Sequence, residues 1–337
     1  MVKRIDSIDI VRGFAVLQMV FWQTYDFFAR TDIYATTDPL FFKPFNSPIN
    51  GLGLAVFAFI SGTSLFFAVK KRQNLSKKEI ILHSVKRYGL YIILSLFFTS
   101  FVFGFDVFFR WGEAIQGIGF AAIIATLVLL LFKSKWIYLS LGFLITFVQP
   151  TIRHLVPPIN TPVSAPLNSL ISLFLNMTIR GYFSLTHVLP IMLFGIFLAI
   201  TINELKSKKK IIKISALYVF LLGILGLTFH FLIRNIDVYE WTSAYQLFYT
   251  SISIFLFLIS ELILLKFGKI RITKFLSVFG KTPLIAYLGH FLLIKKPLDV
   301  LHLANLLGIG ISLLLSLVFV TLMYYVSKLW LSIKSRQ

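Results

Sequence analysis

Long apolar runs separated by short polar segments make up most of the 337-residue chain. Each run has about 18 to 25 residues, the length that an α-helix needs to cross the hydrocarbon layer of a membrane. The pattern predicts an all-α, polytopic transmembrane bundle of about ten helices, which we treat as a single domain over residues 1–337. The predicted spans are 10–28, 50–69, 88–105, 115–132, 137–151, 184–203, 211–233, 245–265, 276–294 and 304–327.

The overall composition supports a membrane protein and narrows its chemistry. The chain is 58% apolar and only 14% charged, with a mean hydropathy of +0.86, so it has too few charges for a soluble protein of this length. Cysteine is absent, which excludes disulfides, thiolate metal sites and a cysteine nucleophile. The sequence contains neither zinc-ligand spacing nor a phosphate-binding P-loop. We therefore expect no metal and no transport driven by ATP hydrolysis.

The basic residues indicate how the helices are oriented. Alternate loops and the two ends of the chain hold 23 Lys and Arg residues, whereas the remaining loops hold eight. Because basic loops stay in the cytoplasm, both termini are predicted to be cytoplasmic and the protein to lie in the cell membrane. The net charge of +20 comes from these short clusters. They favour contact with anionic lipid headgroups, and we expect no nucleic-acid partner.

Several polar residues lie at the start of the predicted first span or within it. An ionisable residue inside a span costs about 2.5 to 3.5 kcal/mol on insertion scales, so each is a functional candidate. Asp9 and Arg12 lie three positions apart and share a helix face. Two interpretations stay open: a structural ion pair that also anchors the helix at the interface, or an Arg12 that binds the phosphate of a cytoplasmic ligand. Gln23 follows Arg12 by roughly 16 Å along the helix.

Three residues near the predicted outer face are candidates for a general base. His290 lies toward the outer half of the ninth predicted span, and His187 lies at the outer start of the sixth. Either histidine can move protons near neutral pH, or can be a hydrogen-bonded packing residue. Glu113 precedes the fourth span and Gln116 by a few residues. Its carboxylate is a candidate base, or only a partner of the helix dipole.

Four segments, taken in order, resemble a known family. They are the opening Arg4–Val20, then Phe57-Ala-Phe-Ile-Ser-Gly-Thr-Ser-Leu65, then Ala114-Ile-Gln-Gly-Ile-Gly119, and finally Phe279-Gly-Lys-Thr-Pro-Leu-Ile-Ala-Tyr-Leu-Gly-His-Phe291. Together they are similar to membrane acyltransferases of the heparan-α-glucosaminide N-acetyltransferase type and to their uncharacterised prokaryotic relatives.

The resemblance implies a bundle that takes an acetyl or other acyl group from coenzyme A in the cytoplasm. The acceptor would be an amine or hydroxyl of a glycan or lipid-linked sugar of the cell envelope, on the opposite side. Membrane lipids, acyl-CoA and this acceptor are the expected partners, and a homodimer is compatible with the sequence. The implied cations for the coenzyme A phosphates are Arg12, Lys86, Arg87 and Lys281. The implied polar residues for the acceptor and the thioester oxygen are Gln23, Asn46, Asn50, Gln116 and Tyr287.

The chain departs from this family at the catalytic histidine. The family places that histidine eleven residues after the position of Arg12 or just before the second span. Here the first position is Gln23, and the later region reads Asn46-Ser-Pro-Ile-Asn-Gly-Leu52. His290, His187 or Glu113 would then have to act as the base. Two other functions stay open: a transporter or flippase for a polar or lipid-linked solute, and a structural membrane subunit.

Overall fold

The computed structural model describes residues 5–29, 48–103, 114–156, 171, 173–181, 183–205, 207–232, 243–301 and 304–336. Nearly all of these residues are helical, and none of them belongs to a strand, as predicted. We number the helices in chain order as α1 Asp6–Phe28, α2 Pro48–Lys71, α3 Lys77–Phe103, α4 Ala114–Leu131, α5 Lys135–Leu155, α6 Leu185–Leu205, α7 Lys208–Leu232, α8 Ser243–Phe267, α9 Arg271–Lys281, α10 Pro283–His290, α11 Lys296–Val300 and α12 Ile309–Lys334. Asn176–Arg180 and Phe291–Lys295 are single π-helical segments.

The described helices confirm a polytopic helical membrane protein. Seven of them are long and apolar enough to cross a membrane, namely α2, α3, α4, α6, α7, α8 and α12. An eighth span is possible if α9 and the helical stretch Pro283–Val300, which meet at a bend of 77°, count as one. Helices α1 and α5 coincide with the other two predicted spans, but they carry too many polar residues to qualify by composition. The number of about ten spans stays a prediction.

The chain divides into two compact units. We call residues 58–258 the middle unit, and residues 5–57 together with 259–337 the terminal unit. The boundaries fall inside helices α2 and α8, so each of these helices contributes to both units. The expectation of one domain over the whole chain stays a prediction.

Helix α6 is the core of the middle unit. Every residue from His187 to Thr201 is buried, because this helix is apolar on all sides and is surrounded by its neighbours, chiefly α4 and α5. Its contact with α2 is close enough to require glycine. A Cβ atom on Gly195 would lie 2.0 Å from the carbonyl oxygen of Phe59. The Thr63 hydroxyl bridges the crossing by donating to the carbonyl oxygens of Phe59 at 3.0 Å and Gly195 at 3.2 Å.

Helix α1 has the corresponding place in the terminal unit, where it packs against α9, α10 and α12. Its crossing with α9 brings two backbones into contact. A Cβ atom on Gly13 would lie 1.8 Å from the carbonyl oxygen of Leu276, and one on Gly280 would lie 1.8 Å from that of Asp9. The buried apolar core beside this crossing includes Val16, Val20, Phe279, Ala286, Val320 and Met323. Helix α1 therefore keeps its polar residues against protein rather than lipid.

The predicted span 276–294 is broken into two helices. Helix α9 ends at Lys281 and α10 begins at Pro283, whose missing N–H suits the first position of a helix. Two side chains satisfy carbonyl groups left over at the end of α9. The Arg12 Nη1 atom donates to the Gly280 oxygen at 3.1 Å, and the Thr282 hydroxyl donates to the Val278 oxygen at 2.9 Å. The break is thus fixed on both sides, and it sets the direction in which α10 leaves.

Candidate active site

The end of α10 brings a buried histidine against helix α1 in the terminal unit. The Nε2 atom of His290 lies 2.8 Å from the side-chain oxygen of Gln23, and its Nδ1 atom lies 3.1 Å from the carbonyl oxygen of Ala286. His290 has no exposed surface, whereas Gln23 is partly exposed. The structure thus joins two residues that the sequence marked separately, one as a base and one as a substrate ligand.

Aromatic rings enclose this histidine. The ring of Phe27 stacks on it at a centroid distance of 6.0 Å, and the rings of Phe291 and Tyr287 lie 4.2 and 5.6 Å away. Tyr287, a predicted substrate ligand, is itself 7% exposed and packs edge-on against His290. Water is excluded from such surroundings, so each hydrogen bond to the imidazole is stronger than it would be in solvent.

The two hydrogen bonds of His290 restrict its protonation state. Both ring nitrogens face oxygen atoms, and a neutral imidazole carries one N–H group only. A neutral ring that donates from Nδ1 to Ala286 therefore requires the Gln23 amide to turn its NH₂ group toward Nε2. With the amide oxygen toward Nε2, the same geometry suits an imidazolium that donates from both nitrogens. The pair can thus accommodate the ring both before and after it takes up a proton.

His187, the second predicted base, is held in a polar cluster of the middle unit. The Gln149 side-chain nitrogen lies 2.8 Å from Nε2 of His187, and the Ser184 hydroxyl lies 2.9 Å from Nδ1. Ser184 also donates to the carbonyl oxygen of Ile179 at 3.2 Å. One arrangement of protons satisfies these three bonds: Gln149 donates to Nε2, Nδ1–H donates to Ser184, and Ser184 donates to Ile179. His187 is fully buried, as is His290, and its two ring nitrogens both face side chains of the protein.

The sequence did not identify Ser184 and Gln149 as partners of this histidine. Ser184 had a local signal, since residues three apart near a helix start face each other. Gln149 had only its polarity within a predicted span to mark it.

Of the other predicted site residues, two lie in described helices. Gln116 is buried in α4 of the middle unit, and Asn50 lies in α2 with its side chain outside the described structure. Glu113 and Asn46 lie outside the described residues.

Arg12, the first of the predicted donor-binding cations, forms an ion pair and a hydrogen bond with other residues of the protein. Its Nη1 atom lies 3.4 Å from an Asp9 carboxylate oxygen in addition to its bond with Gly280. Asp9 is 3% exposed. The structure therefore contains the ion pair of the first interpretation, and Arg12 also caps α9.

The other predicted cations differ in the surfaces they reach. Arg87 lines a cleft in the middle unit, with Arg72, His83, Ser84 and Tyr88. Its guanidinium lies 5.5 Å from the centre of the Tyr88 ring. Lys86, one position earlier, is exposed and is not among the residues that line this cleft.

Lys281 lines a second cleft, in the terminal unit. Its other lining residues are Asp6, Ile10, Lys269, Thr273, Lys274 and Ser277, none of which the sequence had suggested as a ligand. Within the described parts of the chain, no group of three or more His, Asp or Glu side chains is placed to hold a metal ion.

A comparison with known families gives one match over nearly the whole chain. Residues 5–326 match the family described as an acyltransferase domain. The chain belongs to this acyltransferase family. The match covers nearly the whole of the acyltransferase, including both compact units. The finer resemblance to the heparan-α-glucosaminide type stays a prediction. No curated protein matches the chain significantly.

Proposed function

We propose that this membrane acyltransferase moves an acetyl or other acyl group from cytoplasmic acyl-CoA to a hydroxyl or amine of a sugar or lipid-linked glycan on the outer side. The proposal rests on family membership for the type of reaction. The observation that assigns the reaction to particular residues is the contact between buried His290 and partly exposed Gln23. We further propose that the protein resides in the cell membrane with both termini in the cytoplasm, as the charge count predicts.

His290 is the proposed general base. The oxygen or nitrogen of the acceptor attacks the thioester carbonyl carbon, and its proton passes to Nε2 of His290. A C–O or C–N bond forms while the C–S bond breaks, and the proton then goes to the departing sulfur to give coenzyme A as a thiol. The imidazolium formed in between is stabilised by the Ala286 carbonyl oxygen, which lies 3.1 Å from Nδ1 on the other side of the ring.

Gln23 is the proposed entrance to this base. Because Gln23 is partly exposed and His290 is buried, an acceptor reaches Nε2 by displacing the Gln23 side chain. The displaced amide is then free to hydrogen-bond the thioester oxygen, on which negative charge develops. In this interpretation, Gln23 occupies the position at which the family has its catalytic base, and His290 acts as the base instead.

The absence of cysteine removes the background signal of protein thiols from the activity test. Coenzyme A released during transfer is detected with a thiol reagent, and the protein itself contributes no thiol. The purified protein is mixed with ¹⁴C-acetyl-CoA and with methyl glucoside or glucosamine as hydroxyl and amine acceptors. His290→Gln is expected to lower kcat by about 10²- to 10⁴-fold, the usual contribution of a general base.

His154→Gln is the matched control, because His154 is an exposed histidine. It should leave the rate unchanged. If the folded His290→Gln variant transferred acetyl at the wild-type rate, His290 would not be the base. Transfer that is lost in His187→Gln but kept in His290→Gln would assign the role to the cluster of the middle unit.

One observation favours the alternative of a transporter or flippase. The 77° break between α9 and α10 interrupts a possible span, and broken helices are common at transport sites. Transporters usually carry such breaks in matched pairs, and this is the one bent pair within the described residues. Proteoliposomes that move a fluorescent lipid-linked sugar without releasing thiol from acetyl-CoA would support this alternative.

A further inference from the structure

The cleft of the terminal unit lies between the first turns of α1 and one face of α9. Its lining residues on α9 are Thr273, Lys274, Ser277 and Lys281. Lys274, Ser277 and Lys281 are spaced three, four and seven positions apart, which puts them on one side of the helix. Lys269 precedes α9, while Asp6 and Ile10 come from α1. The cleft thus combines three ammonium groups and two hydroxyl groups with a single carboxylate.

The charges in the cleft are unbalanced. The Nζ atom of Lys269 lies 2.9 Å from a carboxylate oxygen of Asp6, which offsets one of the three positive charges. Asp6 is the only acidic residue among those that line the cleft. Lys274 and Lys281 are exposed, and they leave the cleft with two positive charges in excess. An anionic group carrying about two charges would balance the site.

Ser277 gives the cleft a hydroxyl donor besides its charge, whereas the hydroxyl proton of Thr273 is used within the protein. The Thr273 hydroxyl donates to the Ile270 carbonyl oxygen at 2.9 Å, so Thr273 is held in place. Ser277 lies one helical turn further along, between the levels of Lys274 and Lys281. Lysine ammonium and serine hydroxyl groups donate hydrogen bonds to the oxygens of phosphate groups.

The helix that carries these residues is rigidly mounted. Gly13 and Gly280 allow the α1 and α9 backbones to touch, and Arg12 ties the end of α9 to α1. A ligand therefore meets lysines whose backbone positions are already fixed, which lowers the entropy lost on binding.

We propose that the cleft formed by Lys269, Lys274, Lys281, Thr273 and Ser277 is a binding site for a phosphate-bearing group, either a diphosphate or a phosphomonoester. The group can come from two sources. One is a soluble ligand such as the phosphorylated nucleotide of coenzyme A, and the other is the headgroup of an anionic lipid. With a coenzyme A occupant the inference rests on the proposed function, because the cleft would then hold the donor, whereas with a lipid occupant it does not. Phosphate binding itself requires none of the chemistry at His290.

The surroundings of the cleft are compatible with either source. Phe267, Ile270 and Ile272 expose 60%, 37% and 59% of their surface next to the lysines, as expected of a segment at the membrane interface. The cleft begins near Ile10, and Gln23 lies about 20 Å further along α1 at 1.5 Å per residue. A soluble donor bound there by its phosphates would need a long, narrow arm to reach His290.

Binding of inorganic pyrophosphate is the first test. The full-length protein is placed in nanodiscs of phosphatidylcholine, and binding is measured by calorimetry. We expect the double variant Lys274→Gln/Lys281→Gln to weaken binding at least tenfold. Asp6→Asn should instead tighten it severalfold, because Lys269 loses its competing carboxylate. The double variant Lys208→Gln/Lys209→Gln removes two exposed lysines of the middle unit and should have no effect.

Two further arms distinguish the sources. Competition of coenzyme A with pyrophosphate supports the site with a soluble occupant. Loss of pyrophosphate binding in nanodiscs that contain phosphatidylglycerol supports it with a lipid occupant. Equal binding by the wild type and the Lys274→Gln/Lys281→Gln variant would overturn the proposal, as would no binding of any of these probes. His290→Gln should bind pyrophosphate normally, so failure of the acyl-transfer proposal would be recognised separately.

Discussion

The Nε2 atom of His290 lies 2.8 Å from the side-chain oxygen of Gln23, although the two residues are 267 positions apart in the chain. The contact joins the end of α10 to the last two turns of α1, inside a ring of aromatic side chains. A buried polar group that loses its partner keeps the full cost of its desolvation. The pair therefore contributes to stability as well as to the proposed chemistry.

Replacing Gln23 by leucine should destabilise the protein by about 1 to 3 kcal/mol, because Nε2 of His290 loses its partner in a buried site. The free energy of unfolding is measured in mixed detergent micelles with increasing SDS, followed by tryptophan fluorescence. A double-mutant cycle with His290→Leu isolates the pair, and we expect a coupling of about 0.5 to 3 kcal/mol. Additive effects of the two substitutions would show that the pair is not formed.

The extent of most helices could be predicted from hydropathy, but their polar ends could not. The predicted span 88–105 overlaps α3 up to its end at Phe103, but α3 begins earlier, at Lys77. The additional turns are polar, and a capping box starts them: the Ser76 backbone N–H donates to the Glu79 carboxylate at 2.8 Å, and the Glu79 N–H donates to the Ser76 hydroxyl at 3.3 Å. This signal is local and readable in the sequence, but a search for apolar runs does not detect it.

The candidate site was predictable residue by residue but not as a pair. Gln23 and His290 were both conspicuous as polar residues in apolar spans, yet nothing in their spacing indicates that they meet. Their contact depends on the rotation of α1 and on the break at Pro283, which packing determines. Among the cleft lysines, Lys269 and Lys274 were counted only as determinants of orientation, and only Lys281 was predicted to bind a phosphate. The helical spacing of Lys274 and Lys281 matters once α9 is known to be a separate helix.

Gly280→Ala should disrupt the crossing of α1 and α9. The new Cβ atom would lie 1.8 Å from the carbonyl oxygen of Asp9, so one of the two backbones has to move. Overpacking of this kind costs about 1 to 3 kcal/mol or more, and here it also displaces the acceptor of the Arg12 hydrogen bond. We expect lower thermal stability in detergent and weaker acyl transfer.

Gly89→Ala is the matched control for this substitution. Gly89 also lies inside a helix, but a Cβ atom there would meet nothing within 4 Å. Alanine is the better helix former, so this variant should be as stable as the wild type or more so. Equal losses in the two variants would mean that the α1–α9 contact is not tight.

Ser184→Ala tests whether the histidine cluster of the middle unit is structural. The substitution removes the partner of Nδ1 of His187 in a fully buried site, which should cost about 1 kcal/mol of stability. If the cluster serves packing, kcat for acetyl transfer changes by less than about twofold once the variant is folded. A large fall in kcat at unchanged stability would contradict that role and implicate His187 in the reaction.

Arg12→Gln separates the two interpretations of the first helix. The Arg12 guanidinium pairs with the Asp9 carboxylate at 3.4 Å and donates to the Gly280 oxygen at 3.1 Å, so its loss should lower stability by about 1 to 3 kcal/mol. The double variant Asp9→Asn/Arg12→Gln should recover part of this loss, because the side chain of residue 9, which Arg12 pairs with in the wild type, is then neutral.

Unfolding in SDS and the KM for acetyl-CoA are measured for both variants. If Arg12 mainly binds a donor phosphate, KM instead rises about tenfold or more in both variants while stability stays at the wild-type level. A structural Arg12 gives the opposite result, with a stability defect that Asp9→Asn relieves and a KM close to that of the wild type.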